Sequence, residues 1–304
     1  MKPKELRGVF SALATPFDDD ERVDVEGLCQ AVAYQIDAGI AGIVPCGSTG
    51  EFSSLSGDER RQVVELVLEE VDGRVPVVPQ TGALTTAEAI ELSRHAARAG
   101  ATAVLCVPPF YAPLTRRELL DYYVTLADAV DVPVFFYNIP SCSKVVLTAA
   151  EIVELAERAG IGFVKDSGAD IETLTALLQD HSHSITTFIG WDTHSLYGFL
   201  LGGRASIWGA ATFMPSLCVG LLDAVEQGRH DDAFALWARI RPLLDFLGRE
   251  GYVAGVKAAA EQLGVPMGRP RRPLAPLSKD ATAQLAALLE DAGLGVVGTA
   301  RTGA

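Results

Sequence analysis

Positive charge is scarce in this 304-residue sequence, in which 25 Lys and Arg stand against 39 Asp and Glu and the formal net charge is -14 at pH 7. Proteins that bind nucleic acid present a basic surface to the phosphates, so this composition argues against DNA or RNA as a partner. An anionic small molecule is still compatible with it, because such a ligand needs only a few local donors.

Paired cysteines and long apolar runs are also missing. The five cysteines are odd in number, widely scattered and never spaced as Cys-x-x-Cys, which favours a reduced, cytoplasmic location. No segment reaches the roughly 18 uninterrupted apolar residues of a membrane helix, so no membrane partner is expected. The short apolar run at residues 8–14 ends at Thr15-Pro16 and is interpreted as a first strand, not as part of a signal peptide.

Signals for a bound metal are weak as well. His181 and His183 have the spacing of a ligand pair, but they precede a predicted strand and so fall on the rim opposite the strand ends. A solvated loop is the simpler interpretation of that pair. His95 and His194 are not joined by a cluster of carboxylates. We therefore predict no metal ligand.

What the sequence does contain is a couplet of helix and strand that recurs along the chain. Short apolar runs predict eight strands, at residues 8–14, 42–46, 75–80, 101–107, 132–137, 160–165, 185–189 and 205–208. Helical periodicity between them predicts helices at residues 23–38, 56–71, 85–99, 115–130, 148–159, 171–179 and 193–201. Four more helices are predicted after the last strand, at residues 217–226, 231–247, 253–263 and 281–292.

The fold class that follows is α/β. Strands that are apolar on both faces need helices on both sides, as in a parallel sheet. Eight units of about 25 residues fit a closed (β/α)8 TIM barrel with a C-terminal helical extension better than an open sheet. A dinucleotide-binding fold is disfavoured, since no Gly-x-Gly-x-x-Gly follows the first strand. We expect the barrel at residues 1–228, a helical appendage packed on it at 229–292, and a disordered tail at 293–304.

Lys165 is the residue whose position is hardest to explain as ordinary structure. It ends the sixth predicted strand and is followed by Asp166, Ser167 and a glycine, so its amine lies where the core meets a loop. Desolvation favours the neutral amine, which is the form that attacks a ketone to make a Schiff base. The alternatives are a lysine that extends to solvent or one that pairs with Asp166.

Active sites of such barrels lie at the carboxyl ends of the strands, so the residues that follow each strand should meet at one mouth. The turn at residues 47–51 offers backbone N–H groups and the hydroxyls of Ser48 and Thr49, which suits a carboxylate or a phosphate. An ordinary capped turn is the alternative. The turn is neither a Walker loop nor a Gly-x-Ser-x-Gly elbow. Tyr137 is either a structural tyrosine or, beside a Schiff-base lysine, a proton shuttle.

Taken together, these motifs resemble the dihydrodipicolinate synthase / N-acetylneuraminate lyase family of class I pyruvate-dependent aldolases. The likeness covers roughly residues 5–292 and rests on five segments: residues 47–51 (Gly-Ser-Thr-Gly-Glu), 109–111, 137–140 (Tyr-Asn-Ile-Pro), 164–166 and 202–203. The resemblance implies a (β/α)8 barrel with C-terminal helices. It also implies a homo-oligomer arranged as a dimer of dimers, and no cofactor apart from the covalent imine with substrate.

The resemblance also implies roles for individual residues. Lys165 would form the imine with pyruvate or another 2-keto acid, and Tyr137 would be the general acid and base beside it. Ser48 would relay protons between Tyr137 and Tyr111, and the tyrosine at the position of Tyr111 reaches into a neighbouring subunit's site in the family. Gly47 and Thr49 would join Ser48 in holding the keto-acid carboxylate. Two further residues would line the pyruvate end of the pocket, Gly190 and Ile207.

One position departs from the family. The familiar dihydrodipicolinate synthases carry an arginine two residues after the proline of the Tyr-Asn-x-Pro motif, where it binds the carboxylate of the aldehyde substrate, and this chain has Cys142 there. A neutral thiol cannot replace a bidentate guanidinium, although Lys144 lies close by in the sequence. Trp191 and Asp192 after the seventh predicted strand, with Ser167 after the sixth, look instead like groups that would bind a hydroxylated chain.

Three functions follow from these observations. The leading prediction is a carbon–carbon or carbon–oxygen lyase that acts on pyruvate or a 2-keto acid with a sugar-acid-like aldehyde portion. The first alternative is a 4-hydroxy-tetrahydrodipicolinate synthase, which condenses pyruvate with aspartate semialdehyde in lysine biosynthesis. The second is a non-catalytic paralogue that binds a keto acid.

Overall fold

The computed structural model describes residues 6–297. Seven parallel strands form one curled sheet in the order β2-β1-β7-β6-β5-β4-β3. The strands are β1 Gly8–Ser11, β2 Gly42–Ile43, β3 Val104–Cys106, β4 Val134–Asn138, β5 Phe163–Asp166, β6 Thr186–Ile189 and β7 Ala205–Trp208. The predicted α/β barrel is confirmed, with one difference in its strands.

The third of the eight predicted strands is not a regular strand. It contains Pro76 and Pro79, which have no N–H to donate to a ladder. The segment still joins the two edges of the sheet, because Val78 donates to the Ile43 carbonyl and the Pro79 carbonyl accepts from Leu105, both at 2.9 Å. The barrel therefore closes through isolated bridges where an eighth strand was expected.

Helices alternate with the strands and cover the outside of the barrel. They are α1 Val25–Asp37, α2 Gly57–Val71, α3 Thr86–Ala99, α4 Arg116–Asp128, α5 Pro140–Ser143, α6 Ala149–Ala159, α7 Ile171–Gln179, α8 Ser195–Leu200 and α9 Pro215–Glu226. Three of them, α2, α4 and α6, begin with a capping box at Ser56, Thr115 and Thr148. In each box the side chain accepts from the backbone N–H three residues on and a glutamate returns the bond, which fixes where the helix starts. The short helix α5 was not predicted.

The barrel interior is filled at its centre by aromatic rings. Phe135 and Phe163 stack with their ring centroids 4.5 Å apart, and Phe188 meets Phe10 edge to face at 5.2 Å. Side chains two residues apart on a strand point to the same face. Tyr137 and Lys165 therefore stand one step above this aromatic layer, toward the carboxyl ends of β4 and β5.

Three helices follow the barrel: α10 His230–Glu250, α11 Tyr252–Gln262 and α12 Lys279–Asp291. Helix α10 packs on α9, and α11 and α12 pack on α10, so these helices lie against the barrel. Residue 228 as a domain boundary stays a prediction. Val297 donates to the Gln262 carbonyl at 2.8 Å, and the rest of the predicted tail, residues 298–304, lies outside the described residues. Within residues 6–297, no helix combines the length and apolar character needed to cross a membrane.

Candidate active site

A cavity of about 420 Å³ opens at the carboxyl ends of the strands. Most of the residues predicted to form the site line it, namely Ser48, Thr49, Tyr137, Lys165, Ser167, Gly190, Asp192 and Ile207. Helices α10 and α11 supply further lining residues, among them Leu244, Gly248, Tyr252 and Val253. The barrel and the C-terminal helices thus form the cavity together.

Lys165 is buried at this mouth, with 6% of its surface exposed. It pairs in register with Tyr137 on β4, and its Nζ lies 4.5 Å from the centroid of the Tyr137 ring. A Cβ at position 190 would come within 2.8 Å of the Lys165 Cγ, so glycine is required there for the lysine chain to pass. The lysine is thus directed into the cavity beside the phenol.

Asp166 does not pair with Lys165, because its side chain points to the other face of the strand. Asn138 Nδ2 donates to Asp166 Oδ1 at 2.6 Å, and the two residues are register partners. Burial raises the pKa of the Asp166 carboxyl to about 6, although the bond from Asn138 opposes the shift. This buried bond joins β4 to β5 one residue beyond Tyr137 and Lys165.

The turn at residues 47–51 is held in an unusual backbone conformation. Glu51 has a φ of 56° and donates its N–H to the Ser48 carbonyl at 3.2 Å. A Cβ at position 50 would lie 2.8 Å from the Leu13 carbonyl oxygen, so a glycine is needed for this close approach. Ser48 is exposed and Thr49 is buried, and both line the cavity. Gly47 is buried in the turn and does not line the cavity.

Asp192 and Tyr252 form a polar pair in the cavity wall. The Tyr252 hydroxyl donates to Asp192 Oδ2, which also accepts from the Ala210 N–H at 3.3 Å. Desolvation raises the pKa of the Asp192 carboxyl, and the bond from Tyr252 opposes that shift. Ser167 donates its hydroxyl to the Gly190 carbonyl at 2.8 Å.

Tyr252 is the functional candidate that the sequence did not reveal. It comes from α11, which the sequence places after the last strand and outside the pattern of strand ends. In the sequence it is only a tyrosine at the start of a helix, and a tyrosine at such a position usually has no catalytic or binding role. Its position in the cavity depends on how α11 packs over the barrel mouth.

Two of the predicted site residues lie away from the cavity. Tyr111 is 89% exposed and lies in the loop after β3, where it lines a separate pocket with Leu84 and Tyr122 and does not line this cavity. Cys142 is exposed on α5 and does not line the cavity. Whether Tyr111 acts in a neighbouring subunit, as the family resemblance implies, stays a prediction.

No metal centre is built into the described part of the chain, where no three His, Cys, Asp or Glu side chains are placed to share an ion. His181 and His183 lie in the turn before β6, on the rim away from the cavity, as expected from the sequence. The independence of the enzyme from a metal or a cofactor stays a prediction.

Comparison with known proteins agrees with this geometry. The chain matches the sequence profile of the Dihydrodipicolinate synthetase family over residues 5–292. It belongs to that family. Members of the family are pyruvate-dependent class I aldolases and lyases, so this protein is a lyase of the type that uses a lysine Schiff base.

Among its relatives is a 4-hydroxy-tetrahydrodipicolinate synthase of Gluconacetobacter diazotrophicus, 35% identical over 97% of this chain and 99% of the relative. Among solved structures, YagE of E. coli K12 in complex with pyruvate is 30% identical, with a TM-score of 0.91 over 96% of this chain and all of that one. CdNal of Clostridium difficile in complex with mannosamine is 25% identical, with a TM-score of 0.89 over 94% of this chain and 99% of that one.

The buried Asp166 carboxyl predicts an unusual pH dependence of stability. Its folded pKa of about 6 lies above its ordinary value of 3.8, so the folded state binds this proton more tightly than the unfolded state does. Its contribution to stability is present below about pH 4 and is lost as the pH rises through 6. Compared with Asp166→Asn, the wild type should lose roughly 2 kcal/mol of unfolding free energy between pH 4 and pH 7.

Urea unfolding of the two proteins across this range measures the difference. Asp170→Asn is a control of opposite sign, because hydrogen bonds from Thr173 lower the pKa of Asp170. The unfolding free energy of the wild type should exceed that of Asp170→Asn at neutral pH, and this difference should shrink as the pH falls. Parallel stability curves for the wild type and Asp166→Asn would show that the Asp166 carboxyl is not desolvated.

Proposed function

We propose that this protein makes or breaks a carbon bond, or eliminates water, on a 2-keto acid through an imine on Lys165. The observation that carries the proposal is the buried Lys165 amine in register with Tyr137 inside a cavity of about 420 Å³. Of the described residues that line this cavity, Lys165 is the only lysine or arginine. It is therefore the amine that a bound ketone meets.

The chemistry follows from that placement. The neutral amine attacks the ketone carbon, water leaves, and the protonated imine withdraws electrons from the bond that is made or broken. The Tyr137 hydroxyl accepts and returns the protons of these steps. The hydroxyls and N–H groups of Ser48 and Thr49 hold the carboxylate of the keto acid, and Ser48 links Tyr137 to Tyr111 of the neighbouring subunit. The complex of YagE with pyruvate supports this choice of ligand.

The aldehyde portion of the substrate is proposed to be hydroxylated and uncharged. The cavity wall presents the Asp192 carboxyl, the Tyr252 hydroxyl and the Ser167 hydroxyl. Both hydroxyls already donate, to Asp192 and to the Gly190 carbonyl, so all three groups are left as acceptors, which suit hydroxyl groups and not a second carboxylate. No arginine lines the cavity within the described chain, and Cys142 stands where the family's arginine would be. The complex of CdNal with mannosamine shows a relative that takes a hydroxylated ligand.

A second candidate function has support of its own. The relative in Gluconacetobacter diazotrophicus is similar over almost its whole length and carries the name 4-hydroxy-tetrahydrodipicolinate synthase. Condensation of pyruvate with aspartate semialdehyde would use the same imine, and would need another cation to bind the second carboxylate. A non-catalytic keto-acid-binding paralogue is disfavoured, because the cavity brings together Lys165, Tyr137, Ser48 and Thr49.

The proposed function also includes an oligomeric assembly and independence from a cofactor. The exposed Tyr111 fits a subunit contact, and we propose a homo-oligomer, arranged as a dimer of dimers, in which Tyr111 completes a neighbour's site. The enzyme is proposed to need no metal and no cofactor beyond the imine. Its proposed location is the cytoplasm, with neither nucleic acid nor membrane as a partner.

Reduction with borohydride in the presence of pyruvate tests the imine. The expected result is addition of one reduced pyruvate unit at Lys165, found by peptide mass spectrometry, because borohydride converts the imine to a stable amine. Lys165→Ala should give no adduct and no turnover. Lys144→Ala, which removes an exposed lysine that bonds to the Ser141 carbonyl, should label as the wild type does. An adduct on another lysine, or none, would disprove the assignment.

A panel of aldehydes tests the second half of the substrate. With pyruvate as donor, uncharged hydroxylated aldehydes such as glyceraldehyde should give a higher kcat/KM than aspartate semialdehyde, by about tenfold or more. Dehydration of 2-keto-3-deoxy acids is assayed alongside. Asp192→Asn should lower kcat/KM for the hydroxylated aldehydes roughly 10- to 100-fold, by loss of hydrogen bonds to a charged group, and leave trapping of pyruvate intact. Aspartate semialdehyde as the best substrate would establish the alternative function.

A further inference from the structure

A buried ion pair joins helix α11 to the turn at residues 47–51. Lys257 Nζ lies 3.1 Å from Glu51 Oε1, and both side chains are 0% exposed. Lys257 also donates to the Thr15 and Arg269 carbonyls, at 2.9 Å each. All three of its N–H donors are therefore used, and none is directed into the cavity.

Both carboxylate oxygens of Glu51 accept hydrogen bonds. Its Oε2 accepts from the Arg271 N–H at 2.8 Å, while Oε1 accepts from Lys257. Its own backbone N–H donates to the Ser48 carbonyl, and its left-handed φ of 56° is a conformation that residues other than glycine adopt only when the surroundings hold them there. The carboxylate is thus anchored by α11 and by the loop that follows it, and the backbone of the turn is anchored through it.

Lys257 also bridges the turn to the segment that follows β1. The Thr15 hydroxyl donates to the Gly50 carbonyl at 2.7 Å, and the Thr15 carbonyl accepts from Lys257. The ammonium lies 4.3 Å from the centroid of the Phe17 ring, where a cation–π contact adds to its hold. One side chain of α11 therefore fixes both the turn that carries Ser48 and Thr49 and the segment beside it.

Stability alone does not account for this pair. Removing two charges from water is expensive, and apolar replacements of a buried ion pair are often equally stable. Burial lowers the pKa of Lys257 to about 8 despite the nearby Glu51, which shows how strongly the site disfavours the charge. Positioning of a functional turn is a role that an apolar pair could not fill, because it could neither accept from the Arg271 N–H nor donate to the Thr15 carbonyl.

We infer that Lys257 and Glu51 are positioning residues for the pyruvate carboxylate, which they serve by holding Ser48 and Thr49 in the turn from the C-terminal helix. The inference rests on the proposed function of that turn. Helix α11 then contributes to the active site through two residues, since Tyr252, five residues before Lys257, lines the cavity. Tyr252 contacts the substrate cavity directly, whereas Lys257 acts through Glu51.

Trapping by borohydride at graded ketone concentrations tests this role in Lys257→Met. The variant should need roughly 10- to 100-fold more pyruvate for half-maximal trapping, the range expected when hydrogen bonds to a charged group are lost. Trapping of acetone, which has no carboxylate, should not change, so selectivity for pyruvate over acetone falls. Val256→Ala is the matched control, because Val256 is buried in the same helix, takes no part in the ion pair and does not line the cavity. It should lower Tm and keep the selectivity of the wild type.

The double variant Glu51→Gln/Lys257→Met covers the case in which the single variant does not fold, since it leaves no unpaired buried charge. It too should lose selectivity for pyruvate. A folded single or double variant that traps pyruvate at the wild-type concentration would overturn the inference and leave the proposed function intact. Failure of the wild type itself to trap pyruvate would instead overturn the proposed function.

Discussion

The site depends on the backbone register between β4 and β5. The ladder pairs Tyr137 with Lys165, and the pleat of parallel strands sends both side chains into the barrel. The next register pair, Asn138 and Asp166, points outward and is joined by a buried hydrogen bond of 2.6 Å. A slip of one residue would turn the lysine toward the helices and bring the aspartate into the cavity. The positions of Tyr137, the proposed acid–base group, and Lys165, the proposed nucleophile, are therefore set by the ladder and not by flexible loops.

The cavity above this pair is closed from two sides. Below lie the stacked rings of Phe135 and Phe163, so solvent cannot reach the amine through the barrel. Above lie α10 and α11, which contribute Leu244 and Tyr252 to the wall. The C-terminal helices are needed for the shape of the site, and through Lys257 they also hold the turn that carries Ser48 and Thr49.

Much of this site could be predicted from the sequence, because the end of a buried barrel strand is marked by a change from apolar to polar residues. An apolar run followed by a polar residue placed Lys165 and Tyr137 at one mouth, and the alternation of helix and strand gave the fold. The third strand was predicted wrongly, since the pattern of apolar residues ignores the N–H groups that Pro76 and Pro79 lack.

Contacts that depend on tertiary packing could not be predicted from the sequence. Tyr252 and Lys257 come from a helix whose direction over the barrel no local pattern encodes. The sequence also left open whether Asp166 pairs with Lys165. The register between β4 and β5 shows that Asp166 bonds to Asn138 instead. The proposed preference for a hydroxylated aldehyde portion depends in the same way on tertiary packing, which brings Tyr252 to Asp192.

A crystal structure of the protein soaked with pyruvate would show directly whether Lys165 forms the imine. We expect continuous density from Lys165 Nζ to the second carbon of the keto acid, with the carboxylate about 2.7–3.2 Å from donors of Ser48 and Thr49 and the Tyr137 hydroxyl beside the imine. Pyruvate bound without a covalent bond to Lys165, or attached to a different lysine, would contradict it.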